Sequence, residues 1–418
     1  MIEIFKKLEK YNYWQKKKIK IGSVRNVYLS RVEKYFGNKL IKVLVGQRRV
    51  GKSYLLRQII QKLIQKKINP KNIFYLNKEL VDFDEIRNYK DLQKLIECYK
   101  KRIKPKGKLY ILLDEIQEIE QWEKIVNSFS QDYKEEYEIF LTGSNSKLLS
   151  GELATYLSGR YVSFEVLPFS FKEYIKYFNI PKDKNSFLEY LKTGGLPELY
   201  KLKEEETKIH YLSSLRDAII LKDIVARYKI KDVYLLEKIF KFMTDNIGCL
   251  FSINKIAHYL NSQKIKTNFE TVSNYINYLQ QAFLIYEAEC FDMKGKTILS
   301  GSKKYYLNDL SFRNYLSSSF DYGLGRHLEN IVYLHYRSLG YKIYVGRIGK
   351  AEIDFIIEKE KEKKYIQVAY SLSNKKVIER EFGNLEKIRD AYEKTVISMD
   401  DVSLGNKNGI KHLQAWEM

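Results

Sequence analysis

Proline and cysteine are both scarce in this chain, with five prolines and three cysteines in 418 residues. Few prolines, and no Gly/Ser-rich or repetitive stretch, argue against long linkers. The two to four or so domains expected of such a length should be joined by short connections. Cys98, Cys249 and Cys290 are far apart, and five histidines are scattered among them. They form no metal or disulfide pattern, so a reducing cytoplasm is the simplest compartment. No apolar run approaches the roughly 18 residues of a membrane helix. The Lys-rich start, Met1–Lys20, has no apolar stretch of the kind a secretory signal needs.

Acid is also in short supply. Lys and Arg number 74 against 52 Asp and Glu, for a net charge of +22. Such a surplus favours an anionic partner, DNA first. A generally Lys-rich composition accounts for the same numbers. The run Lys16–Lys18 reads as a solvated face or as an arm for phosphate backbones. The 35 tyrosines and 21 phenylalanines read as packing residues rather than a stacking platform for bases. His327 and His335 lack metal-ligand spacing and read as satisfied histidines.

Against this background the N-terminal third carries a dense motif. Ile41–Val45 is a short β-branched run. It leads into Gly46-Gln47-Arg48-Arg49-Val50-Gly51-Lys52-Ser53 and then into a helical stripe from Tyr54 to Lys66. Strand, Gly-rich loop and helix are the context in which G-x-x-x-x-G-K-[ST] encloses a triphosphate. Lys52 would neutralise the β- and γ-phosphates of ATP, and Ser53 would ligate Mg²⁺. A second apolar strand, Lys108–Leu113, ends in Asp114-Glu115. Asp114 would hold the Mg²⁺, and Glu115 would polarise the attacking water. A third, Glu138–Leu141, ends in Thr142-Gly143-Ser144-Asn145. Ser144 or Asn145 would sense the γ-phosphate, or else simply cap a helix. Asn72–Asn77 reads as a further strand inserted between loop and acids, as in the ASCE branch of P-loop folds.

These stretches, with Ser158-Gly-Arg-Tyr, Leu167-Pro-Phe-Ser-Phe-Lys-Glu-Tyr, Gly194-Gly-Leu-Pro-Glu, Leu221-Lys-Asp-Ile-Val-Ala-Arg, Lys294-Gly-Lys and Glu352-Ile-Asp-Phe, resemble the prokaryotic AAA-type ATPases of the extended ATPase group that carry a C-terminal domain of unknown function. The resemblance implies a catalytic role for Arg160, on this nucleotide or on a neighbouring subunit's. It also implies a helical lid from about Phe169 to Arg227. Pro197, in a Gly-x-Pro turn, would pack on adenine, although Gly-Gly-x-Pro is equally a plain loop.

Further on, apolar stripes mark helices over Asp232–Asp245 and Ser252–Leu260. A third helix starts at a Thr267-x-x-Glu270 capping box. Strands at Leu284–Glu289 and Tyr305–Asn308 follow, joined at Lys294-Gly295-Lys296. This pattern reads as a winged helix. Thr271, Asn274, Asn277, Tyr278 and Gln281 lie off the apolar stripe of the third helix, where they would read bases or merely meet solvent. Lys294 and Lys296 would meet phosphates. The last segment has a helix at Gly325–Gly340, strands at Lys342–Gly346, Glu352–Glu358 and Lys364–Ala369, and a helix from Lys375 to Tyr392. It resembles the PD-(D/E)xK nuclease core, and that resemblance implies a second metal site at Glu329, Asp354 and Gln367. Ala369 stands where the nuclease lysine is expected, so a degenerate site is anticipated.

The expected fold is α/β. It comprises a P-loop ASCE/AAA-type parallel-sheet domain (1–166), a helical lid (167–229), a winged helix (230–322) and a restriction-endonuclease-like domain (323–418). The expected function is an ATP- and Mg²⁺-binding, slowly hydrolysing switch that binds DNA. Two alternatives stand beside it, an ATP-regulated Mg²⁺ nuclease and a protein-binding switch without DNA contact. A nucleotide-dependent homo-oligomer is also anticipated.

Overall fold

The computed structural model describes residues 1–15, 20–145, 157, 159–317 and 323–418. The Lys16–Lys18 run and Ser158 therefore lie outside the described residues. The chain divides into two compact units, Met1–Val166 and Leu167–Met418.

In the first unit five strands form one sheet in the order β2-β3-β4-β1-β5. They are β1 (Ile41–Val45), β2 (Ile73–Asn77), β3 (Leu109–Asp114), β4 (Tyr137–Gly143) and β5 (Tyr161–Glu165). All four pairings are parallel. A parallel sheet buries both faces, which is why these strands read as continuous apolar runs rather than alternating ones. Helices α1 (Ile2–Tyr11), α2 (Asn26–Glu33), α3 (Lys52–Gln65), α4 (Tyr89–Ile103) and α5 (Trp122–Gln131) complete the unit. Helix α3 buries Leu55, Leu56, Ile59, Ile60 and Leu63. The strand that separates β1 from β3 is β4, whereas β2, expected as the inserted strand, takes the edge.

That edge is covered by the N-terminal segment. The Asn12 amide donates to Tyr75 O (2.9 Å) and accepts from Tyr75 N (2.8 Å), as a neighbouring strand would. Trp14 Nε1 donates to Ile73 O at 2.7 Å. Backbone groups that would otherwise invite a foreign strand are thereby paired.

An ammonium lies within the apolar core of the sheet. Lys42, on β1, is completely buried. Its Nζ lies 3.0 Å from Glu138 Oε1 on the adjacent β4. Glu138 also takes Lys108 at 2.9 Å and the Gly37 N–H at 3.0 Å. Burial draws the Lys42 pKa down, and the Glu138 carboxylate works against that.

The second unit contains a nine-stranded mixed sheet, ordered β13-β14-β12-β11-β10-β9-β7-β8-β6. Its strands are β6 (Leu250–Phe251), β7 (Ile285–Asp292), β8 (Thr297–Leu307), β9 (Lys342–Ile348), β10 (Ala351–Lys359), β11 (Glu362–Ala369), β12 (Glu393–Ser398), β13 (Asn406–Lys407) and β14 (Ile410–Gln414). Its α-helices are α6 (Phe171–Phe178), α7 (Lys184–Thr193), α8 (Glu205–Ala218), α9 (Ala226–Tyr228), α10 (Val233–Asp245), α11 (Ile253–Ser262), α12 (Phe269–Gln281), α13 (Ser311–Leu316), α14 (Leu324–Ser338) and α15 (Lys375–Glu386). A π-helical stretch, Ile219–Val225, joins α8 to α9. The parallel pairing of β7 with β9 makes the β7–β8 hairpin continuous with the C-terminal strands.

Several local expectations change. Helix α12 is capped by Asn268, whose side chain accepts from Thr271 N, and not by a box begun at Thr267. Strand β8 is longer than the expected 305–308, because it pairs with β7 along most of its length. The C-terminal helix ends at Glu386 rather than Tyr392, and the chain then enters β12 beside β11. Tyr278 and Gln281, expected to lie open on the polar face of α12, are covered: Tyr228 stacks on Tyr278 at 3.9 Å, and its hydroxyl bonds to Gln281.

The Lys42–Glu138 pair yields a direct prediction. Glu138→Ala strands a buried ammonium and should cost the first unit about 3–5 kcal/mol, whereas an apolar replacement of both partners costs much less. Urea unfolding of the two variants, followed by far-ultraviolet circular dichroism, checks the difference.

Candidate functional site

Strands β1, β3 and β4 are parallel neighbours, so their C-terminal ends open on one edge of the sheet. That edge receives the Gly46–Gly51 loop from β1, Asp114-Glu115 from β3 and Ser144-Asn145 from β4. Ligands of open α/β sheets bind at such carboxyl ends.

The loop is shaped by two glycines. Gly46 has φ +152°, and a Cβ there would meet Val166 O at 2.2 Å. Gly51 has φ +97° and caps α3 without a side chain. The first-turn N–H groups of α3 have no intrahelical acceptor, and no capping side chain serves them, which is the arrangement that receives phosphate oxygens. Arg49, at φ +68°, is the one non-glycine residue of the loop in the left-handed region. Val50 is buried, and its carbonyl accepts from the buried Arg25 guanidinium at 3.0 Å.

Lys52 opens α3 and is buried. Its Nζ donates to Gly46 O (2.9 Å) and Gln47 O (3.0 Å) and lies 3.3 Å from Glu115 Oε1. The Ser53 hydroxyl lies near enough to Asp114 to work against the rise in its pKa, which places the two expected Mg²⁺ ligands close to one another. Asp114 also accepts from the Thr142 hydroxyl and from Tyr75 OH (3.1 Å). Burial, then the neighbouring Glu115, pushes its pKa up to about 6. Glu115 sits at φ +53°, a strained conformation for such a side chain. Its N–H donates to Thr142 Oγ1 at 2.9 Å. Burial would raise the Glu115 pKa, but Lys52 and then the Gln117 amide outweigh it, and the net shift is downward.

The structure thus gathers Lys52, Ser53, Asp114, Glu115, Ser144 and Asn145 at one edge, all of them buried except Ser53, which is partly exposed. Arg48 turns aside to Glu79 (2.8 Å) and Glu118 (3.9 Å), and Arg49 is exposed. The Tyr54 ring lies against Gly22 and under the Arg57 guanidinium at 4.2 Å. Arg160 does not join the site. Its carbonyl accepts from Ile41 N, at the start of β1, so it lies at the opposite edge of the sheet. One strand of five residues, about 15 Å, separates it from the loop. Pro197 opens a 3-10 turn, Pro197–Lys201, in the second unit. The Gly194–Gly195 pair before it is required by that unit's own packing: a Cβ on Gly194 would meet Asp309 Oδ1 at 2.2 Å, and Gly195 N donates to Asp309 Oδ2 at 2.7 Å.

Four residues of the first site escaped the sequence reading: Thr142, Tyr75, Gln117 and Arg25. Thr142, one step beyond the pairing of Leu113 with Leu141 and next to the Gly143 that ends β4, stood in the polar run read at that strand's end, and Gln117 stood in the stretch 112–119 that follows the apolar run of β3.

In the second unit Glu329 (α14), Asp354 (β10) and Gln367 (β11) do converge, but around an ammonium. Lys304, on β8, is buried, with Nζ 2.8 Å from Glu329, 2.8 Å from Glu352 and 3.5 Å from Asp354. Gln367 is engaged elsewhere: Oε1 accepts from Asp354 N (2.6 Å), and Nε2 donates to Glu381 (2.7 Å). Among the described residues, no group of three or more His, Cys, Asp and Glu side chains is arranged to hold a metal ion. Glu329 and Asp354, expected as ligands of a second metal, are here partners of the Lys304 ammonium. Burial opposes charge on Lys304, yet Glu329, Asp354 and Glu352 hold its pKa well above normal. Burial raises Asp354, against the pull of Lys304.

Ser398, His412 and Asp400 form a chain with the wrong polarity for a nucleophile. Leu404 N donates to His412 Nδ1 (2.8 Å), so the ring proton is on Nε2, 2.8 Å from Ser398 Oγ, which in turn donates to Asp400 (2.8 Å). His327 lies with Nδ1 3.0 Å from Gly323 O and Nε2 2.8 Å from Asn314 Oδ1, and burial lowers its pKa to about 4.

Comparison with known proteins fits the first site. A family model described as an AAA domain matches residues 38–175. A second, described as a domain of unknown function, matches residues 184–322. An uncharacterized protein of Haemophilus influenzae is 37% identical over 378 residues, covering 90% of this chain and 92% of its own. Another, from Methanocaldococcus jannaschii, is 34% identical over 381 residues, covering 87% and 81%. Among solved structures, the Aeropyrum pernix Orc1 protein in complex with DNA overlaps loosely. Its TM-score is 0.35 at 13% identity, over 71% of this chain and 94% of that one.

The Lys304 cluster makes its own prediction. Lys304→Met leaves buried carboxylates without a counter-charge and should destabilise the protein by about 3–5 kcal/mol at neutral pH. Carboxyls so placed have folded pKa values above their unfolded ones. Their penalty is therefore present above the folded pKa and fades as pH falls through it, so the variant should recover stability relative to wild type towards about pH 5. Thermal midpoints of both proteins across pH check this.

Proposed function

The chain belongs to the same family as the Haemophilus influenzae and Methanocaldococcus jannaschii proteins and carries an AAA domain, and on that premise we propose that it is an ATP-driven switch that hydrolyses ATP slowly and engages DNA through its second unit. The observation that carries the ATPase reading is the meeting of Lys52, Ser53, Asp114 and Glu115 beneath the uncapped start of α3. The donor set fits a nucleotide triphosphate with Mg²⁺: N–H groups and one ammonium for phosphate, a hydroxyl beside a carboxylate for a hard cation. Mg²⁺, held by Ser53 and Asp114, would supply positive charge against the phosphates. Lys52 exchanges its carbonyl and carboxylate partners for phosphate oxygens, and that frees Glu115. Glu115 then takes a proton from the attacking water. Thr142 holds Asp114 and the Glu115 backbone in register, so the two acids move as one piece.

The DNA reading rests on the segment 233–307. Helix, short strand, two helices and a hairpin follow one another, and β6 pairs with β8, which supports a winged helix. Thr271, Asn274 and Asn277 remain on the outer side of α12, and Lys264, Lys266, Lys294 and Lys296 are exposed nearby in the sequence. These are base-reading and phosphate-meeting residue types. The helix α14, the β9–β10–β11 strands, α15 and β12 support a nuclease-like core, with Lys304 inside its acid cluster favouring a grip over a blade.

For the nucleotide site two outcomes are expected. In equilibrium titrations Lys52→Ala should bind ATP at least about 30-fold more weakly, because the phosphates lose a charged donor. Glu115→Gln should bind it normally yet release phosphate about 100-fold more slowly, since an amide takes up no proton. Unchanged affinity in the first, or undiminished turnover in the second, contradicts the assignment. For DNA, log affinity should fall steeply and linearly with log salt, and the slope should shrink by about one for each of Lys294 and Lys296 that is changed to Ala. Absence of binding at low salt leaves a switch that acts on proteins.

A further inference from the structure

The chain beyond Glu115 makes a 3-10 turn, Ile116–Glu118, which brings one side chain back to the site. Gln117 Nε2 donates to Glu115 Oε2 at 2.5 Å and lies 3.3 Å from Ser144 Oγ. Chemistry fixes the orientation of the amide, because an ionised carboxylate only accepts and the group facing it must be the NH₂. The other end of the amide, Oε1, is buried and meets no donor among the described residues. A buried acceptor left over in this way calls for a reason, and a site with a group still to receive supplies one. On its far side Glu115 faces Lys52 at 3.3 Å. The carboxylate is therefore held from two directions, by an ammonium and by an amide.

The two holds fare differently when a triphosphate arrives. Lys52 is drawn to the phosphates, whose charge exceeds that of one carboxylate. Gln117 is neutral, is carried by a short turn, and also touches the end of β4 through Ser144. It becomes the donor that still aims Glu115. We propose that Gln117 is a positioning residue of the ATPase site, keeping the Glu115 carboxylate aligned with Ser144 after Lys52 has moved, and offering its spare carbonyl oxygen to the water beside that carboxylate. In the step it serves, the water oxygen bonds to the γ-phosphorus as its proton passes to Glu115. The bond from that phosphorus to the β–γ bridging oxygen breaks, and ADP and phosphate leave. The inference rests on the ATPase reading given above and adds a residue to it.

The test measures ATP affinity, KM and kcat for phosphate release by the full-length wild type and by Gln117→Met and Gln117→Ala. Methionine keeps the length of the side chain but donates nothing. The expected result for both variants is ATP affinity and KM within about twofold of wild type, with kcat lower by about tenfold or more, the worth of one hydrogen bond to a charged group. An unchanged kcat in Gln117→Met overturns the proposal. So does a parallel loss of affinity and turnover, which marks a merely structural side chain. A wild type that binds ATP and releases no phosphate overturns the ATPase reading, and this proposal with it.

Discussion

Parallel register is the constraint on which the first site depends. Because β4 lies between β1 and β3 and all three run the same way, their ends deliver a phosphate-binding loop, a pair of acids and a polar strand end to one place. No single residue creates that meeting. Leu113 opposite Leu141 puts Asp114 beside Thr142, and Val45 opposite Gly143 puts the loop beside Ser144. A slip of one residue would send each of these side chains to the other face. The rest of the first unit secures the register. Lys42 and Glu138 tie β1 to β4 inside the core, and Asn12 and Trp14 close the free edge of β2.

Each unit buries a lysine among carboxylates and uses it differently. Lys42 has Glu138 as its main partner and sits within a sheet that is otherwise apolar. Lys304 gathers Glu329, Glu352 and Asp354 from a helix and a strand that come much later in the chain. Its neighbour Lys303 faces the other way, to Glu287 at 2.8 Å, as alternation along a strand requires. Lys304 thereby joins the β7–β8 hairpin to the C-terminal strands by charge, and the β7–β9 pairing joins them by backbone. A buried pair of this kind adds little net stability over an apolar core. It makes the wrong arrangement costly, because any displacement strands a charge.

What the sequence disclosed followed from local periodicity and local chemistry. The strand, loop and helix of 41–65 and the acids ending β3 were legible because each is a continuous stretch with its own pattern. Of the two roles expected for Arg160, its place at the start of β1 leaves the one on a neighbouring subunit's nucleotide, because nearness in sequence to β4 says nothing of where the chain returns to the sheet. It returns at the starting edge, to begin β5. Thr142, Tyr75 and Gln117 act through register or through a turn at φ +53°, and neither is written in composition. Lys304 carried no local signal, since its partners lie 25 to 50 residues on. Tyr228 hid Tyr278 and Gln281 because a polar helix face reads the same whether it meets water or an aromatic ring. The Asn268 cap was lost to the neighbouring Thr267 for a similar reason: both residue types cap helices well, and tertiary context chooses between them.

The central claim is that the start of α3, with Lys52, encloses a chain of phosphates. Calorimetric titration of the full-length protein with AMP, ADP and ATP, each with and without Mg²⁺, tests it most directly. The account expects affinity to rise with each added phosphate and Mg²⁺ to matter for ATP above all. Equal affinity for AMP and ATP, or binding indifferent to Mg²⁺, would contradict it.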